Sequence, residues 1–219
     1  MRPWGADRDV LLLFATRSLR LFGYGLLSVV LVLYLTSLGL SGGATGLLLT
    51  LTLLGDAAIS LWLTTHADRL GRRRVLLAGA ALMLAAGLAF VATPVYAVIA
   101  VAATIGVISP SGNEVGPFLA VEQTALSQLV GDRQRTAVFA RYQLAGSLAT
   151  ALGALTGGAI AQLAIGAGAG PSDAYRLVIA GYAVVGVALA LLFSRVSPRI
   201  ELPAREIEDE PIRTRLGLH

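Results

Sequence analysis

The chain has 219 residues, 56% hydrophobic and 14% charged, with a net charge of +4 and a mean hydropathy of +0.75. A soluble domain carries about a quarter charged residues; this composition, with its apolar residues in long runs, excludes that class and describes an integral membrane protein. The 17 basic residues are all Arg and cysteine is absent, so neither a disulfide framework nor thiolate or metal chemistry is expected, and the high isoelectric point is read as Arg flanking membrane spans rather than as a nucleic-acid face.

Residues 1–9 form a short polar N-terminus. The first predicted span covers about 10–40, with Arg17 and Arg20 near its start and an uncharged stretch from Leu21 to Leu38. It is too long for a cleavable signal peptide, and no polar mature domain follows a small-residue cleavage site. Ser41-Gly42-Gly43 makes a turn into a second span at about 44–65, which holds a single charge, Asp56. A polar knot follows at 64–76, and a third span at about 75–93. After Pro94 a fourth span is expected over about 95–120, kinked but continuous through Pro110, because proline in a membrane helix often bends it without ending it. The polar stretch 122–141 has Ala125, Leu126, Leu129 and Val130 at helical spacing, so part of it is expected to lie along the membrane surface. A fifth span is predicted at about 138–165, dense in Gly and Ala, and a sixth at about 174–194. Residues 195–219 form a charged tail.

The fold class is therefore all-α, with six transmembrane helices, each long enough for a hydrocarbon core of about 30 Å. The turns at 39–43, near 94 and at 166–173 are nearly uncharged, and Arg176 is the one basic residue beside them. The opposite side carries the knot, the 122–141 stretch, both termini and the remaining Arg. An excess of Arg marks cytoplasmic loops, so both termini are expected inside a multi-pass cell-membrane protein. The exclusive use of Arg is read as genome composition, that of a GC-rich bacterium, which places the chain in a bacterial inner membrane.

In the knot, Asp68 precedes the third span and is expected to accept from the free N–H groups at its start. Gly71 permits a tight turn, and Arg69, Arg72, Arg73 and Arg74 are expected at headgroup depth beside anionic lipid. In order, Ala67, Asp68, Arg69, Gly71, Arg72, Arg73 and Leu76 match Gly-x-Leu-Ala-Asp-Arg-x-Gly-Arg-Arg/Lys-x-x-Leu, with Thr64 and His66 departing from it. That pattern, after a second span, resembles the loop between helices two and three of the major facilitator superfamily of secondary transporters. The resemblance covers about residues 8–200. It implies half of that fold, built from two inverted three-helix repeats. It also implies a conformational latch at Asp68, Arg69, Gly71, Arg72 and Arg73 that contacts a second six-span half.

Gly153, Gly157 and Gly158 in the fifth span fall on a weaker match to the family's antiporter pattern, and equally on a small-residue packing face, the preferred reading. The fourth span lacks the family's Arg-x-x-Gln-Gly drug-exporter pattern. Charges within spans are the functional candidates, since each costs about 2.5–3.5 kcal/mol at a helix centre. Asp56 lies twelve residues before Asp68, about 18 Å along a helix; it binds a proton or cation, or pairs with Arg20. Glu114, beside Asn113, faces a central cavity or the interface. Arg17 is expected to snorkel to the inner surface, with Arg20 deeper. Tyr24, Tyr34, Tyr142 and Gln143 line a cavity or pack.

Enzyme readings fail on residue supply. A second mid-span Asp for an aspartyl protease, a mid-span His for a serine protease and a Gly-x-x-x-x-Gly-Lys loop for ATP are all missing. No cofactor is expected beyond proton or sodium coupling. The expected partners are the bilayer, a small-molecule substrate and a second six-span half, either this chain again or one separately encoded; nucleic acid is not among them. Three readings follow: a transporter half that works by pairing, a truncated or split product, and a membrane-embedded interaction protein that keeps the fold without transport.

Overall fold

The computed structural model describes residues 8–114, 116–197 and 200–201, with the side chain of Asp68 also outside the described set. The segments 1–7 and 202–219, including most of the expected tail, fall outside it. The described residues form seven helices and no strand. These are α1 (Arg8–Ser37), α2 (Gly42–Leu70), α3 (Arg72–Ala92), α4 (Tyr96–Ile105), α5 (Phe118–Leu129), α6 (Asp132–Gly166) and α7 (Pro171–Phe193). Five of them, all but α4 and α5, are long and apolar enough to cross a membrane.

Local chemistry sets several of these ends. Ser41 Oγ accepts from the Ala44 N–H at 3.2 Å and caps α2, one of the donors a helix start leaves free. Gly71, at φ 92°, is the single residue between α2 and α3. A side chain there would be strained, which is why the turn needs glycine. Pro171 opens α7, where its missing N–H costs nothing.

α1 is the most buried of the long helices and packs on α6 and α7. α3 packs on α7 and α4, and α2 on α4. The α1–α6 contact brings backbones together. A Cβ at Gly25 would collide with the Thr150 carbonyl, one at Gly153 with the Phe22 carbonyl, and one at Gly157 would lie 2.7 Å from the Leu26 carbonyl oxygen. Small residues permit this approach where no hydrophobic drive joins helices within lipid. Gly158 is looser, its nearest neighbour Val29 Cγ1 at 3.9 Å. Leu53, Leu61, Trp62, Leu148, Leu155 and Leu163 stand exposed on α2 and α6, an apolar exterior suited to lipid or to another membrane segment.

The fourth span departs from expectation. α4 stops at Ile105 after ten residues, about 15 Å of helix. The described residues of 106–117 are irregular, and helix resumes at Phe118. The cause is local. Pro110 and Pro117 donate no N–H, Gly112 and Gly116 take φ of 71° and 83°, and Val107 is forced to φ 54°. The interrupted backbone is served from inside the bundle. Tyr182 Oη donates to the Val107 carbonyl at 2.9 Å, and Ser109 Oγ to the Asn113 carbonyl at 2.6 Å. α5 turns an inward face, burying Phe118, Val121, Glu122, Ala125 and Leu126. α6 begins at Asp132, six residues before the predicted start of the fifth span, because the 132–137 stretch continues the helix without a break.

Candidate functional site

Four parts of the chain meet where the fourth span is broken. Arg17 and Arg20 lie one turn apart on α1, nine and twelve residues from its first residue, about 14 and 18 Å along the helix. Opposite them stand Glu114 from the irregular segment, Glu122 from α5, and Tyr142 and Gln143 from α6.

Glu122 is fully buried and takes four hydrogen bonds. Arg20 donates Nη1 to its Oε1 and Nη2 to its Oε2, both at 2.8 Å. Thr16 Oγ1 adds a bond to Oε1 at 3.0 Å and Tyr142 Oη one to Oε2 at 2.6 Å. This is the two-pronged guanidinium–carboxylate match, fixed further by two hydroxyls. Glu114 is arranged differently. It bridges the two arginines, accepting from Arg20 Nη2 and lying 2.6 Å from Arg17 Nη1. Its side chain keeps 11% exposure where both arginines keep 1% or less. Arg17 Nη2 donates to Gln143 Oε1 at 2.7 Å. Each guanidinium also lies on a ring, Arg17 4.4 Å from the Tyr142 centroid and Arg20 4.5 Å from that of Phe118, a favourable cation–π placement. Arg17 Nε and Arg20 Nε are buried without a hydrogen-bond partner among the described residues.

Several expectations are corrected here. Arg17 does not snorkel: Glu114, Gln143 and the Tyr142 ring hold it inside, against Gly146, where a Cβ would approach its Nε to 2.7 Å. Arg20 pairs with the two glutamates, so Asp56 is not its partner. Asp56 is the midpoint of the 29-residue α2; it accepts from Ser60 Oγ at 3.3 Å and from the Gly116 N–H, with no cation beside it among the described residues. Asn113 stays outside the cluster, exposed and bonded through Nδ2 to Ser111 Oγ at 3.2 Å. Tyr34 packs, its Oη donating to the Phe90 carbonyl at 2.9 Å. Glu122 is hidden in the sequence by its address in a polar stretch. It lies in register with Phe118, Ala125, Leu126 and Leu129, and an acid on an apolar stripe is the signal that would have found it.

The knot is held by residues far along the chain. Glu201 Oε2 accepts the Arg72 N–H at 2.7 Å and Oε1 the Arg73 N–H at 3.0 Å. The free start of α3 is therefore capped by Glu201, a role the sequence suggested for Asp68, whose side chain lies outside the described residues. Arg72 is buried: Nη1 donates to Gln128 Oε1 at 2.7 Å and to the Ile200 carbonyl at 2.9 Å. Arg73 serves the end of α7, donating Nε to the Phe193 carbonyl at 3.3 Å and Nη2 to that of Ser194, as suits a cation at a helix C-terminus. Arg69 is exposed. At the same end Asp9 accepts from the N–H of Ser197 at 3.1 Å and from its hydroxyl.

The chain is 38% identical over 199 residues to the uncharacterized membrane protein YJR124C of Saccharomyces cerevisiae (strain ATCC 204508 / S288c). The alignment covers 90% of this chain and 44% of the yeast protein, so the chain spans less than half the length of that relative. The sequence model of the Major Facilitator Superfamily matches residues 13–216. That match reaches every helix of the bundle, α1 from residue 13 onward, and both sides of the broken span, and the chain belongs to the Major Facilitator Superfamily.

Proposed function

We propose that this chain is one six-span half of a secondary transporter, moving a small molecule by ion-coupled or facilitated transport. Members of its family are membrane transporters rather than enzymes. The observation that carries the reading is the fourth span. Irregular backbone and paired charges lie together inside the bundle, where lipid would tolerate neither unprotected. Discontinuous helices of this kind line solute and ion sites in secondary transporters.

The neighbour pattern supports two inverted three-helix repeats, with α4 and α5 together as the fourth span. A repeat that maps the first three spans onto the last three turns the α1–α6 contact into α4–α2, α1–α7 into α4–α3, and α2–α3 into α6–α7. It maps α3–α7 onto itself. All of these contacts are present. Asp56 is the proposed proton- or sodium-coupling group, being half-buried at mid-helix with no cation beside it among the described residues. The exposed leucines of α2 and α6, and a relative more than twice as long, support a second six-span half. In this reading the knot is the latch toward that half. The Arg-rich end faces the cytoplasm with both termini, and the all-Arg composition supports a bacterial inner membrane.

The test is counterflow in proteoliposomes, with a panel of labelled organic anions, cations and neutral solutes. The chain is reconstituted alone, and again joined to a second copy or to a separately encoded six-span half. Counterflow of at least one solute is expected only from the joined form. Equal flux from the chain alone would overturn the half-transporter reading, and no counterflow from any form would overturn transport.

A further inference from the structure

The two glutamates of the buried cluster are not equivalent, and the difference has a chemical meaning. Glu122 sits on a helix, is wholly buried and is matched on both oxygens, so it is the standing counter-ion of Arg20. Glu114 sits on irregular backbone between Gly112 and Gly116, both at positive φ, and is the acid of the pair that reaches the surface. Its contact with Arg17 is close but misaligned: Arg17 Nη1 and Glu114 Oε2 are 2.6 Å apart, yet neither atom completes a hydrogen bond. Among the described residues Arg17 has no other carboxylate; its remaining partners are the neutral Gln143 and the Tyr142 ring.

Two arginines and two glutamates balance. When Glu114 leaves, one positive charge stands uncompensated, with Arg17 Nη1 and the second N–H of Arg20 Nη2, the one not given to Glu122, both freed toward the same point. We infer that Arg17 and Arg20 form a receptor for a small organic monocarboxylate, and that Glu114 is the built-in occupant which the solute replaces. The solute carboxylate takes the bridge that Glu114 makes, with Arg20 still held by Glu122 and Arg17 by Gln143. Buried Arg17 Nε, without a partner among the described residues, supplies a further donor. This deepens the transport reading by naming a substrate class, and it rests on that reading for its purpose.

The test is binding to the purified full chain in a neutral detergent, read as the shift in unfolding temperature with sodium benzoate against sodium chloride at equal ionic strength. A saturable benzoate-specific shift is expected in the parent. An internal occupant lowers apparent affinity by the fraction of time it fills the site. Glu114→Gln should therefore bind benzoate at least about tenfold more tightly, a gain that misfolding cannot imitate. Adding Arg17→Gln to Glu114→Gln should remove the gain. Benzoate binding no tighter in Glu114→Gln than in the parent overturns the inference, as does a gain that survives Arg17→Gln. Stabilisation by phosphatidylglycerol in mixed micelles without any by benzoate assigns the arginines to lipid headgroups and overturns it too. Binding is read independently of flux, so counterflow of a non-carboxylate with no benzoate binding sinks this inference alone. Benzoate binding with no counterflow sinks the transport reading alone.

Discussion

Replacing Glu122 by Gln changes one oxygen to an amide and leaves the size of the side chain unaltered. Its consequence follows from the geometry. Arg20 donates to both carboxylate oxygens, Nη1 to Oε1 and Nη2 to Oε2. Whichever way the amide turns, its NH2 faces an N–H of Arg20, and one of those bonds becomes a donor–donor contact. The other loses its charge. Hydrogen bonds to charged groups contribute about 1.5–3 kcal/mol each, and breaking a buried pair by removing one partner costs about 3–5 kcal/mol. We therefore expect Glu122→Gln to destabilise the bundle by about 3–5 kcal/mol, measured by SDS-induced unfolding in mixed micelles followed by circular dichroism. The double variant Arg20→Met with Glu122→Leu should recover most of that loss, because apolar groups of similar volume can replace a buried pair at little cost. A loss below about 1 kcal/mol for Glu122→Gln would refute the reasoning, for it would place Arg20 within reach of water or lipid headgroups instead of in a closed cluster.

Gly153→Leu should separate α1 from α6, since any Cβ at that position meets the Phe22 carbonyl. With cysteines at Val29 and Gly158 in this cysteine-free chain, a short thiol cross-linker should join the two helices in the parent and fail once Gly153→Leu is added. Glu201→Ala removes both N–H acceptors at the start of α3 and should cost about 0.5–2 kcal/mol, the usual range for a helix cap; unchanged thermal stability would count against the capping role. Asp56→Asn should abolish coupled flux in the joined, reconstituted transporter while leaving membrane insertion and unfolding temperature in place. Undiminished flux would reduce Asp56 to a structural residue.

Hydropathy alone locates the long helices, because an 18-residue apolar run has few other uses. The six-residue shift at the start of α6 shows where that signal ends: Arg133 and Arg135 look like loop and are helix. The fourth span is visible as Ser109-Pro110-Ser111-Gly112, yet a kink and a break share the same residues. Tyr182 and the packing around Gly106 decide between them, and neither is local in sequence. Arg17 is misread from the sequence because snorkelling is inferred from depth, whereas its position is set by partners on the irregular segment and on α6. The knot behaves in the same way. Its order of residues is enough to suggest the family, but the partner that caps it, Glu201, lies 129 positions from Arg72.

Those separations bear on how the chain is made. Arg20 and Glu122 are 102 residues apart, and Arg20 and Glu114 are 94 apart. A chain emerging from its N-terminus delivers both arginines to the bilayer with α1, long before either glutamate exists. For that interval they cost about 2.5–3.5 kcal/mol each, offset by the leucines of the same helix at about 0.3–0.6 kcal/mol apiece. The leucine-rich make-up of α1 is thus an entry requirement as much as a packing surface. The start of α3 waits longer still, since Glu201 is synthesised after α7 is complete. The Arg-rich end of the bundle is the last part to close, and a nascent chain interrupted before residue 201 carries α3 with that cap unfilled.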